Sequence, residues 1–402
     1  MSVNESETFC LDVCRNTFLS LWSYANPQGK DGDELCDILI VCEPDVVIIS
    51  VKDCTLGDSG DRETDLRRWV SRAVEKSVDQ IYGAERYLRG QPCVVKSDGE
   101  AGLPLPPGDG MRVHRVAVAF GGHGEIPLGP GDFGKGFVHV LDERSFTILL
   151  QELDTIADLT DYLSAREGLH TEGRQTMAVE EADVLAVYLH RGRKFPEANA
   201  LRFEKGSWDE LVRRPEKRAK DERDEISYLW DSLIEGVNRG VLSGNLEFGS
   251  SLSENERALR VMARESRFAR RILGGSFDDF LQHSTQIQAR LCPSPLGTAY
   301  VFLAWPHGAD RQARAMELQM RCVVAKGKLP DASVIVGIAT EQYIPDAGHS
   351  LDVALFDPGA WTPGDQAVAE ELQRRTGYFE GAIEIVASEN EYPVVEDGRG
   401  QP

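Results

Sequence analysis

The sequence predicts a mixed α/β protein built from more than one domain. Three observations point there. The chain has 402 residues, longer than one hydrophobic core usually serves. Its composition, 41% hydrophobic and 27% charged, suits a folded globular chain. Stretches with apolar residues at helical spacing alternate with short runs rich in Val and Ile. The expected organisation is an N-terminal mixed-sheet core over 1–170, a mostly helical region over 171–282, a C-terminal α+β domain over 283–390 and a disordered polar tail over 391–402.

The elements follow in order. Residues 6–25 place Phe9 and Val13, and Cys10, Cys14, Thr17 and Leu21, at helical intervals, and Asn26-Pro27 ends the pattern. Two β-branched runs, Ile38–Cys42 and Val46–Val51, flank Glu43-Pro44-Asp45 and read as a hairpin. After a polar loop from Asp53 to Asp61, residues 63–89 form a long helix with Val70, Val74, Ile81 and Leu88 on its apolar face. Strands are expected at Val113–Phe120 and Phe137–Leu141, separated by a Gly-rich loop, with a helix within 146–167. The middle region offers helices at Glu225–Gly240 and Ser253–Leu273. The second opens on a Ser253/Glu256 capping box and closes on Gly274-Gly275. Beyond it, strands at Ala299–Ala304, Ser333–Thr340, Asp352–Phe356 and Ala382–Ala387 enclose helices near 309–326 and 364–375. That order fits a split βαβ, ferredoxin-like unit or a small α/β sheet.

Composition narrows the function. A net charge of −22 argues against a protein that coats nucleic acid non-specifically, although a local basic groove and a carboxylate-bound metal would still serve a nuclease. No apolar stretch of 18 residues occurs, so no membrane span is expected, and MSVNESETF lacks the basic start of a secretory signal. The eight cysteines form no CxxC pair and several sit among Val, Ile and Leu. They read as reduced core thiols of a cytoplasmic protein, Cys10 and Cys14 included.

The strongest chemical signal is Asp37 at the first hairpin strand with Ser50-Val51-Lys52 at the end of the second. Both strands are otherwise apolar, and a charge there must be paired, metal-bound or placed where the strand emerges into a cleft. An acid and a lysine on neighbouring strands can converge on one point. The carboxylate would hold a hard divalent cation and the lysine would orient water or offset developing charge, which suits phosphodiester hydrolysis. A structural ion pair at the hairpin accounts for the same two residues.

These residues resemble the PD-(D/E)XK nuclease superfamily, restriction-endonuclease-like in fold. The helix, the Asp-bearing strand, the strand ending in x-x-Lys and the following helix occur in that family's order over residues 6–90, extending to about 165. The resemblance implies that Asp37 and Lys52 are catalytic, that Mg²⁺ or Mn²⁺ is the cofactor, and that nucleic acid, more often DNA than RNA, is the substrate. Bacterial antiviral defence is an implied setting. The chain departs from the motif at Ser50, where the family carries Asp or Glu. Glu34 and Gln80 are the preferred compensating residues, with Glu34 joining Asp37 at the metal. Glu63 is held in reserve, and Glu75 points away on the helical wheel.

Other motifs carry less. Gly129–Lys135 has P-loop spacing, but Gly136 replaces the hydroxyl residue and a strand is expected to follow instead of a helix. Arg257, Arg260, Arg264, Arg267 and Arg271 would line one helix face and could track phosphates, or pair with acids or another subunit. The mixed-sign run 213–223 reads as a solvated face. Of the histidines, only His123 and His307 fall where a site could use them. The sequence therefore favours a metal-dependent nuclease. The alternatives are an inactive binding module of the same fold and a scaffold whose acidic surface meets a basic partner.

Overall fold

The computed structural model describes residues 5–122, 128–177, 180–242, 252–284, 286–342, 350–381 and 389–394. The chain forms two compact units, Met1–Arg218 and Ala219–Pro402. The boundary falls within 171–282, the stretch expected to be a mostly helical region. That region is divided: its first part belongs to the first unit, where the helices Glu143–Glu152 and Glu181–His190 make contact, and its second part to the second unit.

In the first unit, α1 (Glu5–Phe18) is shorter than its sequence pattern. Leu19 takes φ 64° and breaks the helix, so Ser23–Ala25 becomes strand β1. β1 pairs antiparallel with β2 (Ile38–Cys42), and β2 with β3 (Asp45–Asp53), as the hairpin reading anticipates. The predicted 63–89 helix is α2 (Arg62–Val70), a single π turn (Ser71–Glu75) and α3 (Lys76–Leu88). A short hairpin, β4 (Cys93–Val95) and β5 (Ala101–Pro104), follows. β6 (Arg112–Phe120) then returns parallel to β3. Beyond it come β7 (Gly131–Asp132) and β8 (Phe137–Asp142), giving the sheet order β1-β2-β3-β6-β8-β7.

The expected helix within 146–167 is two helices, α4 (Glu143–Glu152) and α5 (Ile156–Thr171), because Thr155 accepts from the Asp158 amide and starts a new N-terminus. β9 (Gln175–Met177), α6 (Glu181–His190), β10 (Ala200–Arg202), α7 (Ser207–Arg213) and α8 (Pro215–Asp224) continue the chain. Period-two alternation decides how the sheet is covered. Leu39, Val41, Val46, Ile48, Ala117 and Val140 face Trp69, Ala73, Val74, Val78 and Ile81 of the α2–α3 segment. α1 and α4 pack on the same sheet as well. Trp69 is fully buried and its indole donates to the Cys54 carbonyl at 2.6 Å, which fixes the helix to the end of β3.

The second unit holds α9 (Tyr228–Leu242), α10 (Leu252–Ala263) and α11 (Arg267–His283). It continues with β11 (Gln288–Pro293), β12 (Ala299–Trp305), α12 (Arg311–Lys328), β13 (Ile335–Glu341), β14 (Leu351–Phe356) and α13 (Pro363–Thr376). Its four strands lie in chain order, antiparallel, parallel, antiparallel. A split βαβ would separate the strands that flank α12. Here β12 and β13 are direct neighbours, so the described sheet is a small α/β sheet and not a ferredoxin-like one. The expected strand at 382–387 lies outside the described residues. Leu318, Cys322 and Ala325 of α12 cover one face, and Trp230, Phe277 and Phe280 meet Tyr300 and Phe302 on the other.

The expected Ser253–Leu273 helix is broken. Ser266 caps a fresh N-terminus by accepting from the Ala269 amide, and α11 runs straight through Gly274-Gly275. Gly274 is there for close approach. A Cβ on it would stand 2.7 Å from the Ile226 carbonyl oxygen.

Candidate functional site

Asp37 stands immediately before β2, and Ser50 and Lys52 lie near the end of β3. Alternation along β3 gives Ser50 and Lys52 the same face as Ile48, the face covered by α3. The structure brings the predicted residues together. Asp37 is 3% exposed. Its Oδ2 accepts the Val51 amide at 2.7 Å and the Lys52 ammonium at 3.3 Å. Lys52 keeps 30% of its side chain exposed, so the charge it brings to Asp37 also reaches solvent. One carboxylate oxygen thus ties the hairpin together and holds the lysine in place.

Ser50 is fully buried and donates to Gln80 Oε1 at 2.8 Å. A neutral hydroxyl–amide pair fills the place where the motif would carry a carboxylate. Gln80 comes from α3, one face of which packs on β3 through Val78 and Ile81. Glu34 approaches from the loop before β2 and is half-buried. Burial raises its pKa first. The neighbouring Asp37 carboxylate raises it further by repulsion and a shared hydrogen bond, Glu7 of α1 adds to this, and Lys52 opposes it. Glu34 and Gln80 also line a surface depression of about 390 Å³ with Lys30, Gly83 and Tyr87 on its walls.

Glu63, the reserve residue, and Glu75, expected to point away, are elsewhere. Glu63 is exposed and pairs with Arg67 at 3.2 Å. Glu75 is exposed and accepts from Ser71 at 2.6 Å. Two groups that the sequence did not single out border the site. Ser6 of α1 donates to Asp53, the residue after Lys52, at 2.6 Å, and Glu7 lies close enough to act on Glu34. Both depend on how α1 meets the sheet, and no local motif announces that.

The donor set bears on the implied Mg²⁺ or Mn²⁺. Among the described residues no cluster of three or more His, Cys, Asp or Glu side chains is arranged to hold a metal. Two carboxyls in contact, Glu34 and Asp37, are present. Such a pair is unfavourable while both are ionised, and a divalent cation between them reverses the sign of the interaction. Hard cations that retain several waters are held by one or two carboxylates, so the pair fits Mg²⁺ or Mn²⁺.

The arginine stripe does not survive in the form the sequence suggested. Arg257 and Arg260 lie on α10, and Arg264 follows its end. Arg267 and Arg271 belong to the separate helix α11, each 3% exposed. Arg267 binds Asp231 at 2.8 Å and Arg271 binds Asp224 at 2.9 Å. Arg257 pairs with Asp357 at 2.7 Å and Arg260 with Glu256 at 3.7 Å. In an acidic chain four of these five arginines are taken up by carboxylates of the same chain, so the series does not present a continuous face to phosphates.

The Gly-rich loop is followed by β8, and the Asp132 carboxylate accepts from the Gly134 and Gly136 amides. That closes a tight turn where a P-loop would cradle a phosphate. His123 lies outside the described residues, and His307 is exposed in the turn after β12. Cys10 and Cys14 are both buried, and burial pushes the Cys10 thiol up to about 12, as expected of packing residues. Among the described residues, no helix is long and apolar enough to cross a membrane. No protein-family model matches the chain, and searches of curated proteins and of solved structures return no match either.

Proposed function

We propose that the first unit is a divalent-cation-dependent nuclease of the PD-(D/E)XK kind, acting on DNA in preference to RNA. The observation that supports this reading is the nearness of Asp37, Lys52 and Glu34 to one another at the end of two apolar strands. The order of elements supports it: α1, the strand after Asp37, the strand ending in Lys52, then the α2–α3 segment that supplies Gln80. Glu34 and Asp37 would hold the cation. Bound there, it would polarise the scissile phosphate and acidify a water. Lys52, held by Asp37 yet partly open to solvent, would offset the charge that grows on the phosphate oxygens. Ser50 and Gln80 satisfy each other, and so position α3 beside the strand without adding charge.

A second reading rests on the same Ser50–Gln80 pair. With no third carboxylate, the site would bind a phosphodiester without cutting it. Full-length wild type, Asp37→Ala and Lys52→Ala, each incubated with labelled DNA and RNA and with Mg²⁺ or Mn²⁺, separate these. The nuclease reading expects cleavage by wild type and a loss of at least about 100-fold in both variants, the scale of removing a group that stabilises transition-state charge. Cleavage surviving in both variants sinks the site. No cleavage by wild type, with no heat of Mn²⁺ binding, leaves the binder.

A further inference from the structure

We propose that the exposed face of the α2–α3 segment, bearing Arg68, Arg72 and Lys76, is the track along which a nucleic-acid backbone approaches the site. The proposal rests on the nuclease reading for the identity of the ligand and on its own geometry for the surface.

The three cations recur every four residues, and all are exposed. The next residue in the series is Gln80, which bonds Ser50 inside the site. At 1.5 Å per residue the series runs about 18 Å, in steps of about 6 Å, comparable to the spacing of neighbouring phosphates on one strand. A helix row of this kind lies on one face. The π turn at 71–75 falls inside the row, and such turns recur at functional positions.

Pairing separates this stripe from the arginines of the second unit. Among the described residues, neither Arg68, Arg72 nor Lys76 forms an ion pair with a carboxylate, whereas Arg67 beside them is held by Glu63. Arg72 is steadied without being neutralised. Its Nε donates to the Arg68 carbonyl and its Nη2 to the Thr55 carbonyl, each at 3.3 Å. The second bond places that guanidinium over the loop that leaves Lys52. Acids also border the row. Asp61 acts on Arg68 from a distance while its own oxygens accept from Thr64, and Glu75 accepts from Ser71. Asp79 lies exposed on the flank of the row. In a chain of net charge −22, cations without a carboxylate ion-pair partner, in the helix row that ends at the Ser50-bound Gln80, are the feature that asks for a polyanion.

The test uses the full chain in EDTA, so that binding is read without cleavage. Fluorescence polarisation with labelled single-stranded DNA, duplex DNA and RNA is followed from low to moderate salt. The variants are Arg68→Gln/Arg72→Gln/Lys76→Gln and, as an off-track control, Arg67→Gln, with thermal melts to check that each is folded. The expected result is that the triple variant binds at least about 10-fold more weakly at low salt. The slope of log affinity against log salt should fall by about two, since each phosphate contact contributes about 0.7 to 0.9 to it. The control should keep the wild-type slope. A triple variant with wild-type affinity and slope overturns the track, as does a wild type that binds none of the three. The nuclease reading fails separately, if wild type binds but does not cut when Mg²⁺ or Mn²⁺ is restored.

Discussion

At the scale of single residues, Glu34 reports on the site before any substrate is added. Its pKa lies above the ordinary value of 4.5 through burial and the nearness of Asp37. A carboxyl raised in the folded state binds more protons than the unfolded chain does. Stability therefore falls as pH rises from 4.5 through the raised value. Glu34→Gln should flatten that part of the melting-temperature profile. If the proposed cation site is real, Mn²⁺ should stabilise wild type more at higher pH, where the Glu34 carboxyl is ionised. Melts of both proteins across that range, with and without Mn²⁺, check this. A Mn²⁺ effect that is independent of pH would remove Glu34 from the proposed cation site.

Residue types were the most readable part of the sequence. Asp37 and Lys52 stood out because a charge inside a β-branched run has few satisfactory surroundings. Gln80 was readable because helix periodicity placed it beside the apolar face. Ser6 and Glu7 were not, since nothing in α1 says which end of the sheet it meets.

At the scale of elements, most long periodic segments were legible, and the errors lie at their ends and breaks. Leu19 in a left-handed conformation turned the tail of a predicted helix into β1. Thr155 and Ser266 each started a helix inside a pattern that looked continuous, because apolar spacing persists across a cap. Gly274-Gly275 misled in the opposite sense. Read as a stop signal, the pair sits mid-helix, and Gly274 leaves room for the Ile226 carbonyl. Gly274→Ala should therefore destabilise the protein although alanine is the better helix former. About 1–3 kcal/mol is expected, the scale of overpacking. Gly275→Ala, where a Cβ meets nothing within 4 Å, should be neutral or slightly stabilising. Equal effects in urea unfolding would show that backbone approach is not the reason for the first glycine.

At the scale of the whole molecule, the division into two units was the least legible feature. Buried pairs such as Arg267–Asp231 and Arg270–Asp231 look like solvated charge in a linear sequence. Arg270 is 1% exposed and binds Asp231 at 2.5 Å, while Arg267 shares that carboxylate. Removing the shared acid strands two buried guanidinium groups, a loss on the order of 3–5 kcal/mol. Each unit has its own apolar core, so calorimetry should resolve two transitions. Asp231→Asn should lower one, and Trp69→Ala the other. A single transition shifted by both variants would mean that the units unfold as one.

The double duty of Asp37 sets a practical rule for anyone wanting a silent copy of this protein. Because the oxygen that anchors Lys52 also receives the Val51 amide, erasing the acid damages the scaffold and the chemistry at once. Trimming the lysine leaves the hairpin stitched. On the proposed nuclease reading, decoys, substrate traps and crystallography with intact nucleic acid are best built on Lys52→Ala.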